Sequence, residues 1–127
     1  MQEKNLYEYA VIRVVPRVER EEFLNVGIIL FCKKAKFIKV KHLVPLEKII
    51  ALDAEADVEQ IQANINALEK VAHGSKEGGP IAMMDIPSRF RWLTALRSSV
   101  IQTSRPHPGI CDDLDQTVQR LFEELVL

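Results

Sequence analysis

The sequence predicts an α+β domain, a small antiparallel or mixed sheet of about four strands packed with two to four helices. Three observations predict it. Two runs rich in β-branched and aromatic residues, YEYAVIRVV (Tyr7–Val15) and FLNVGIILFC (Phe23–Cys32), follow each other near the start. The clear helical periodicities come after them, and strands grouped early with helices behind imply α+β rather than alternating α/β. A length of 127 residues, 47% hydrophobic and 28% charged, suits a single globular domain spanning residues 1–127.

Pro16 helps end the first strand because it has no amide to donate, and the charged PRVEREE makes the connection to the second. Both strands carry apolar residues on both faces, as central strands covered on two sides do. Arg13 and Asn25 are the exceptions, expected as satisfied polar positions at strand ends. Gly27 marks a bulge or the close approach of another backbone. FIKVKH (Phe37–His42) alternates, with Ile38 and Val40 to one side and Phe37, Lys39 and Lys41 to the other. It reads as a half-exposed strand whose lysines discourage edge-to-edge association.

Pro45 opens a short helical piece, LEKIIAL. Asp53 or Asp57 caps the next helix, with Gln60 as capping-box partner of Asp57. Val58, Ile61, Ile65, Leu68 and Ala72 form its apolar stripe, and Gly74 is its stop. HGSKEGGP is a loop by composition, followed by a brief apolar IAMM. RFRWLTAL fits a strand or a helix; Pro87, well placed for a first turn, favours the helix and leaves SSVIQTS as a separate strand. Pro106, Pro108 and Gly109 read as a turn. Asp112 or Asp113 then caps a last helix with Leu114, Val118, Leu121, Phe122 and Leu125 on one face.

Seventeen basic residues against eighteen acidic ones leave a net charge of −1, so no global field draws the protein to nucleic acid or to an anionic membrane. MQEKNLYEYA has no apolar core of the kind a secretory signal needs. No apolar run approaches a membrane helix of roughly 18 residues. Cytoplasm is the expected compartment. Charge is nevertheless segregated locally. Lys33, Lys34, Lys36, Lys39 and Lys41 form an acid-free run; Asp53, Glu55, Asp57 and Glu59 form a base-free one.

No phosphate-cradling glycine loop, Gly-x-Ser-x-Gly or His-Glu-x-x-His occurs. Three histidines and two distant cysteines are a poor supply of metal ligands, so no metal or cofactor is expected. Cys111 precedes a helix start, where a thiol is activated, and His107 stands four residues upstream, but Asp112 and Asp113 oppose thiolate formation. An enzyme is not expected. The segment from Arg89 to Gly109 is the informative one, with four arginines, two aromatics and no acid. Candidate binding residues are Arg89, Arg91, Arg97, Ser98, Ser99, Arg105 and His107. On a helix Arg89 and Arg91 point apart, so they form no clamp by themselves. Phe90 and Trp92 fit core packing, and an aromatic left partly exposed beside arginine suits a protein interface. Ser98, Ser99, Thr103 and Ser104 are candidate phosphorylation targets, since phosphate beside Arg97 or Arg105 gains charge-assisted bonds.

YEYAVIRVVPRVEREEFLNVGIILFC, RFRWLTALRSSVIQ and HPGICDDLDQTVQRLFEEL, in that order, resemble the bacterial proteins grouped as domain of unknown function 3037. The resemblance spans nearly the whole chain. It implies a small cytoplasmic bacterial protein of α+β type and transfers no catalytic or binding residue. Some members are encoded beside HipA-like kinases, which implies a HipA-like kinase as a partner. Family members often have proline where this chain has Leu96, and a leucine there lets the helix run about a turn further. The expected function is therefore an accessory or regulatory protein acting by protein–protein interaction. The alternative is a nucleic-acid or phosphate-ligand module using Lys33–Lys41 and Arg89–Arg105.

Overall fold

The computed structural model describes residues 4–95 and 99–127. Strands β1 (Asn5–Val14), β2 (Leu24–Cys32) and β3 (Phe37–His42) form an antiparallel meander. Helices α1 (Leu46–Leu52), α2 (Val58–Ala72) and α3 (Ile86–Leu93) follow, then two short strands, β4 (Ile101–Thr103) and β5 (His107–Cys111), and finally α4 (Leu114–Leu125). The five strands make one open antiparallel sheet. β4 and β5 both pair with β1, along its two halves, so they form one edge in two pieces while β3 forms the other.

The sheet is covered on both faces, as the apolar runs of β1 and β2 predict. Ala10, Ile12, Val14, Ile29 and Val40 face α1, α2 and α3, where Phe90 stacks on Phe31 with ring centroids 5.0 Å apart. Tyr7, Val11, Ile28 and Leu30 face Val118, Leu121 and Phe122 of α4. Alternation at period 2 sends successive residues to opposite layers. The register passes from Ile12↔Gly27 to Arg13↔Asn25, so Val26 is the extra residue of a β-bulge. Gly27 also allows a close approach, because a Cβ there would lie 2.8 Å from the carbonyl oxygen of Lys41.

The helix signals act where the sequence puts them. Asp57 accepts from the Gln60 amide at 3.0 Å, although the Gln60 side chain turns to Asn64 and leaves the capping box half made. Asp85, Asp113 and their third residues Ser88 and Gln116 repeat the bond at the starts of α3 and α4. Gly74 ends α2 with φ +71°, a left-handed conformation that glycine adopts freely.

Four expectations change. Pro106, Pro108 and Gly109 do not make a turn: His107–Cys111 is a strand, which raises the strand count among the described residues to five. The late strand is also shorter than SSVIQTS, only Ile101–Thr103. α3 stops at Leu93, with the Thr94 hydroxyl donating to the Phe90 carbonyl at 2.9 Å, so the helix gains no extra turn before Leu96, which lies outside the described residues. HGSKEGGP and IAMM carry short 3₁₀ turns at Lys76–Gly78 and Pro80–Met83.

The strand at Pro108 has a backbone reason. The Ser104 amide donates to the Val11 carbonyl at 2.8 Å, which fixes the odd residues of β1 as those bonding toward this edge. Pro108 stands opposite Glu8, an even position, so its nitrogen faces away from β1 and no ladder bond is lost. Tyr7 lies over Gly109, where a Cβ would collide with its ring.

Candidate functional site

Beside β4, α2 and the end of α3 leave a cleft of about 250 Å³. Leu68 and Val71 come from α2, Trp92 and Leu93 from α3, and Ser99, Ile101 and Thr103 from the edge. Among the described residues, none of those that line it is charged. Trp92 is 41% exposed, which corrects its expected place in the core. The reason is helical spacing: Arg89, Phe90 and Leu93 take the buried face of this short helix, and Trp92 is rotated off it toward the sheet edge. The Thr103 hydroxyl is buried with no hydrogen-bond partner among the described residues.

The register extends this surface along the same layer. Thr103 stands opposite Ile12, Pro108 opposite Glu8, and Ile110 opposite Leu6, and all six side chains point to the α2–α3 side. Arg91 reaches Glu8 at 3.7 Å. Beyond that pair, Leu6 and Ile110 are 67% and 64% exposed. A strip therefore runs down the β4–β5 side, from Trp92 through Arg91 and Glu8 to a cross-strand apolar pair. Neither Leu6 nor Ile110 stood out in the sequence. Their pairing depends on β5 being a strand, which the two prolines concealed.

The candidate residues that the structure describes do not converge. Arg89 is only 9% exposed and packs its guanidinium against Gly74 at the C-terminal end of α2, where the helix dipole favours a cation. Its Nε is buried without a hydrogen-bond partner among the described residues. Arg91 is committed to Glu8, on the sheet face. Arg105 is exposed beyond β4 and makes no ion pair among the described residues. His107 leaves for the other layer and packs on Tyr9, ring centroids 5.3 Å apart. Ser99 donates its hydroxyl to the Ile101 carbonyl. Arg97 and Ser98 lie outside the described residues. Of the other hydroxyls, Ser104 is buried, with its Oγ accepting from the Val11 amide at 2.8 Å.

Members of the two segregated charge runs find partners elsewhere in the fold. Lys39 reaches Asp115 at 2.8 Å and Lys41 reaches Gln119 and lies over Phe122, so α4 packs along the lysine face of β3, which stays half-exposed. In the acidic run, Asp53 meets Arg17 at 3.5 Å. The Glu55 amide and Arg17 hold its carboxyl below the usual range, and Asp53 in turn raises the Arg17 guanidinium. The Ser88 hydroxyl and amide lower the Asp85 carboxyl. Arg13 and Asn25 are less well satisfied than expected. Arg13 stacks over Phe23 at 4.3 Å and Asn25 donates to the Leu125 carbonyl at 3.0 Å, yet Arg13 Nε and Asn25 Oδ1 are buried without partners among the described residues.

Cys32 is buried and Cys111 half-buried against the α4 layer. Among the described residues, no group of three His, Cys, Asp or Glu side chains is placed to hold a metal ion. No helix among them is long and apolar enough to cross a membrane. Residues 9–126 match the family model described as protein of unknown function (DUF3037). No curated protein and no solved structure gives a significant match.

Proposed function

We propose that this chain, which belongs to the DUF3037 family, is an accessory protein that works by binding another protein through the strip along its β4–β5 side. The observation that carries this is the exposure of Trp92, Leu6 and Ile110 on one layer with Arg91 between them. Arginine and large aromatic residues are what protein interfaces enrich, and exposed apolar side chains gain most from a partner that covers them. A small cytoplasmic regulator of a bacterial HipA-like kinase remains the concrete form of this proposal, supported by the family resemblance.

The supporting experiment is affinity capture from the native cell with wild type and a Trp92→Ala/Ile110→Ser variant. Both positions are exposed, so the variant keeps its fold, checked by circular dichroism. Wild type is expected to recover one stoichiometric protein that survives raised salt, and the variant to lose it. Equal recovery by both overturns the proposed surface. A nucleic-acid partner would show itself by affinity that collapses as salt rises.

A further inference from the structure

The two halves of this edge differ in their backbone. The Val15 amide donates to the Val100 carbonyl at 2.7 Å and the Ser104 amide to Val11, so residues 100, 102 and 104 bond inward. The amides of Ile101 and Thr103 and the Thr103 carbonyl consequently point away from the sheet. The Ile101 carbonyl is taken by the Ser99 hydroxyl. On β5 the outward position opposite Glu8 is Pro108, which has no amide to offer. Proline interrupts the β5 half of the edge, leaving Ile110 as its outward amide, while the β4 half turns two amides outward directly beside the cleft.

Resting on the interaction surface proposed above, we infer that β4 is the docking strand: an extended, acid-bearing segment of the partner protein adds to its free edge. Main-chain bonds to Ile101 and Thr103 give the segment its register, and strand periodicity sends alternate side chains into the cleft against Leu68, Val71 and Trp92. The Thr103 hydroxyl, without a partner among the described residues, offers one further hydrogen bond there. Charge selects the occupant. The chain has no acid between Ile86 and Cys111, and Arg105 stands exposed just past β4 without an ion-pair partner among the described residues. An acidic side chain on the incoming segment meets that cation. A strand of three residues with one carbonyl already capped is a poor template for indiscriminate pairing, so affinity depends on the side chain that fills the cleft.

The test uses the full chain and a library of random seven-residue peptides displayed on phage. Enriched peptides are expected to carry an acid next to alternating apolar residues and to slow exchange of the Ile101 and Thr103 amides. Affinity should fall about tenfold or more, ~1.4 kcal/mol, for Thr103→Pro, which removes an outward amide and leaves the inward ladder intact. Retained protection of the Gln102 and Ser104 amides checks that variant, and Ile101→Pro is the second edge block if it does not fold. Peptides that bind wild type and both proline variants alike overturn strand addition; if Trp92→Ala still weakens them, the interaction strip itself stands. Failure to enrich any peptide, while the native-cell partner is captured, also overturns it. So does protection of the Ile101 and Thr103 amides in the protein alone, which would make a second copy the occupant.

Discussion

The two faces of this sheet are built by opposite means. On the α2–α3 face, Phe90, Phe31, Ile12, Ile65 and Val14 close a buried apolar core fed by three helices. On the α4 face a single helix of twelve residues supplies the cover, and its apolar stripe is bordered by Lys39–Asp115, Lys41–Gln119 and the Asn25–Leu125 bond. A helix of that length is marginal by itself in water, so α4 exists through its packing. The first face should set global stability. The second should be the one that opens locally.

Phe90→Ala is the largest test of that contrast. The ring is fully buried against Phe31, so its loss should cost about 3–5 kcal/mol and lower the denaturation midpoint of the whole domain. A loss confined to exchange in α3 would break the picture. Gly74→Ala comes next, at about 1–3 kcal/mol for the left-handed backbone alone. It also drives the new methyl into the Arg89 guanidinium, and chemical denaturation reads both effects together.

On the other face, Asp113→Ala removes the cap of α4 and should cost about 1 kcal/mol. Faster amide exchange confined to α4 would sharpen the contrast, whereas uniform acceleration across β1 would join the faces into one cooperative unit. Asp85 at the start of α3 gives a pH arm. Its folded pKa is lowered by Ser88, so its contribution is present above the unfolded carboxylate value near 4 and is lost as pH falls through the folded value. Asp85→Asn should flatten the acid limb of a stability–pH curve, and an unchanged limb would assign acid loss to other carboxylates. Lys39→Ala is the smallest change, below about 1 kcal/mol because the pair is largely exposed, and salt should erase it.

Much of this architecture was legible in the residues. The apolar runs of β1 and β2, the alternation of β3, the stripe and caps of α2 and α4, and the bulge at Gly27 act through local rules of period and capping. The edge was harder to read. HPG spells a turn by composition, and only the pairing partner shows that Pro108 faces outward, where its missing amide costs nothing. The candidate site suffered most. Arg89 and Arg91 differ by two positions in sequence, yet one is buried at the end of α2 and the other is held at Glu8. Which arginine stays outside is decided by α3 rotation and by a strand about eighty residues earlier, neither of which a charge pattern encodes. Trp92, Leu6 and Ile110 became a surface only once β5 met β1.

That meeting also sets an order of events. The bond from the Val11 amide to Ser104 spans 93 residues, and β5 closes on the first residues of β1 in the same way. During synthesis the β1–β2–β3 meander emerges long before the segment that seals its open side. Until then the β1 backbone from Asn5 to Arg13 offers every second amide and carbonyl to whatever strand is near. Closing so large a loop is expected to put docking of β4 and β5 late in folding, and a nascent chain halted before Ile101 would carry an exposed pairing edge.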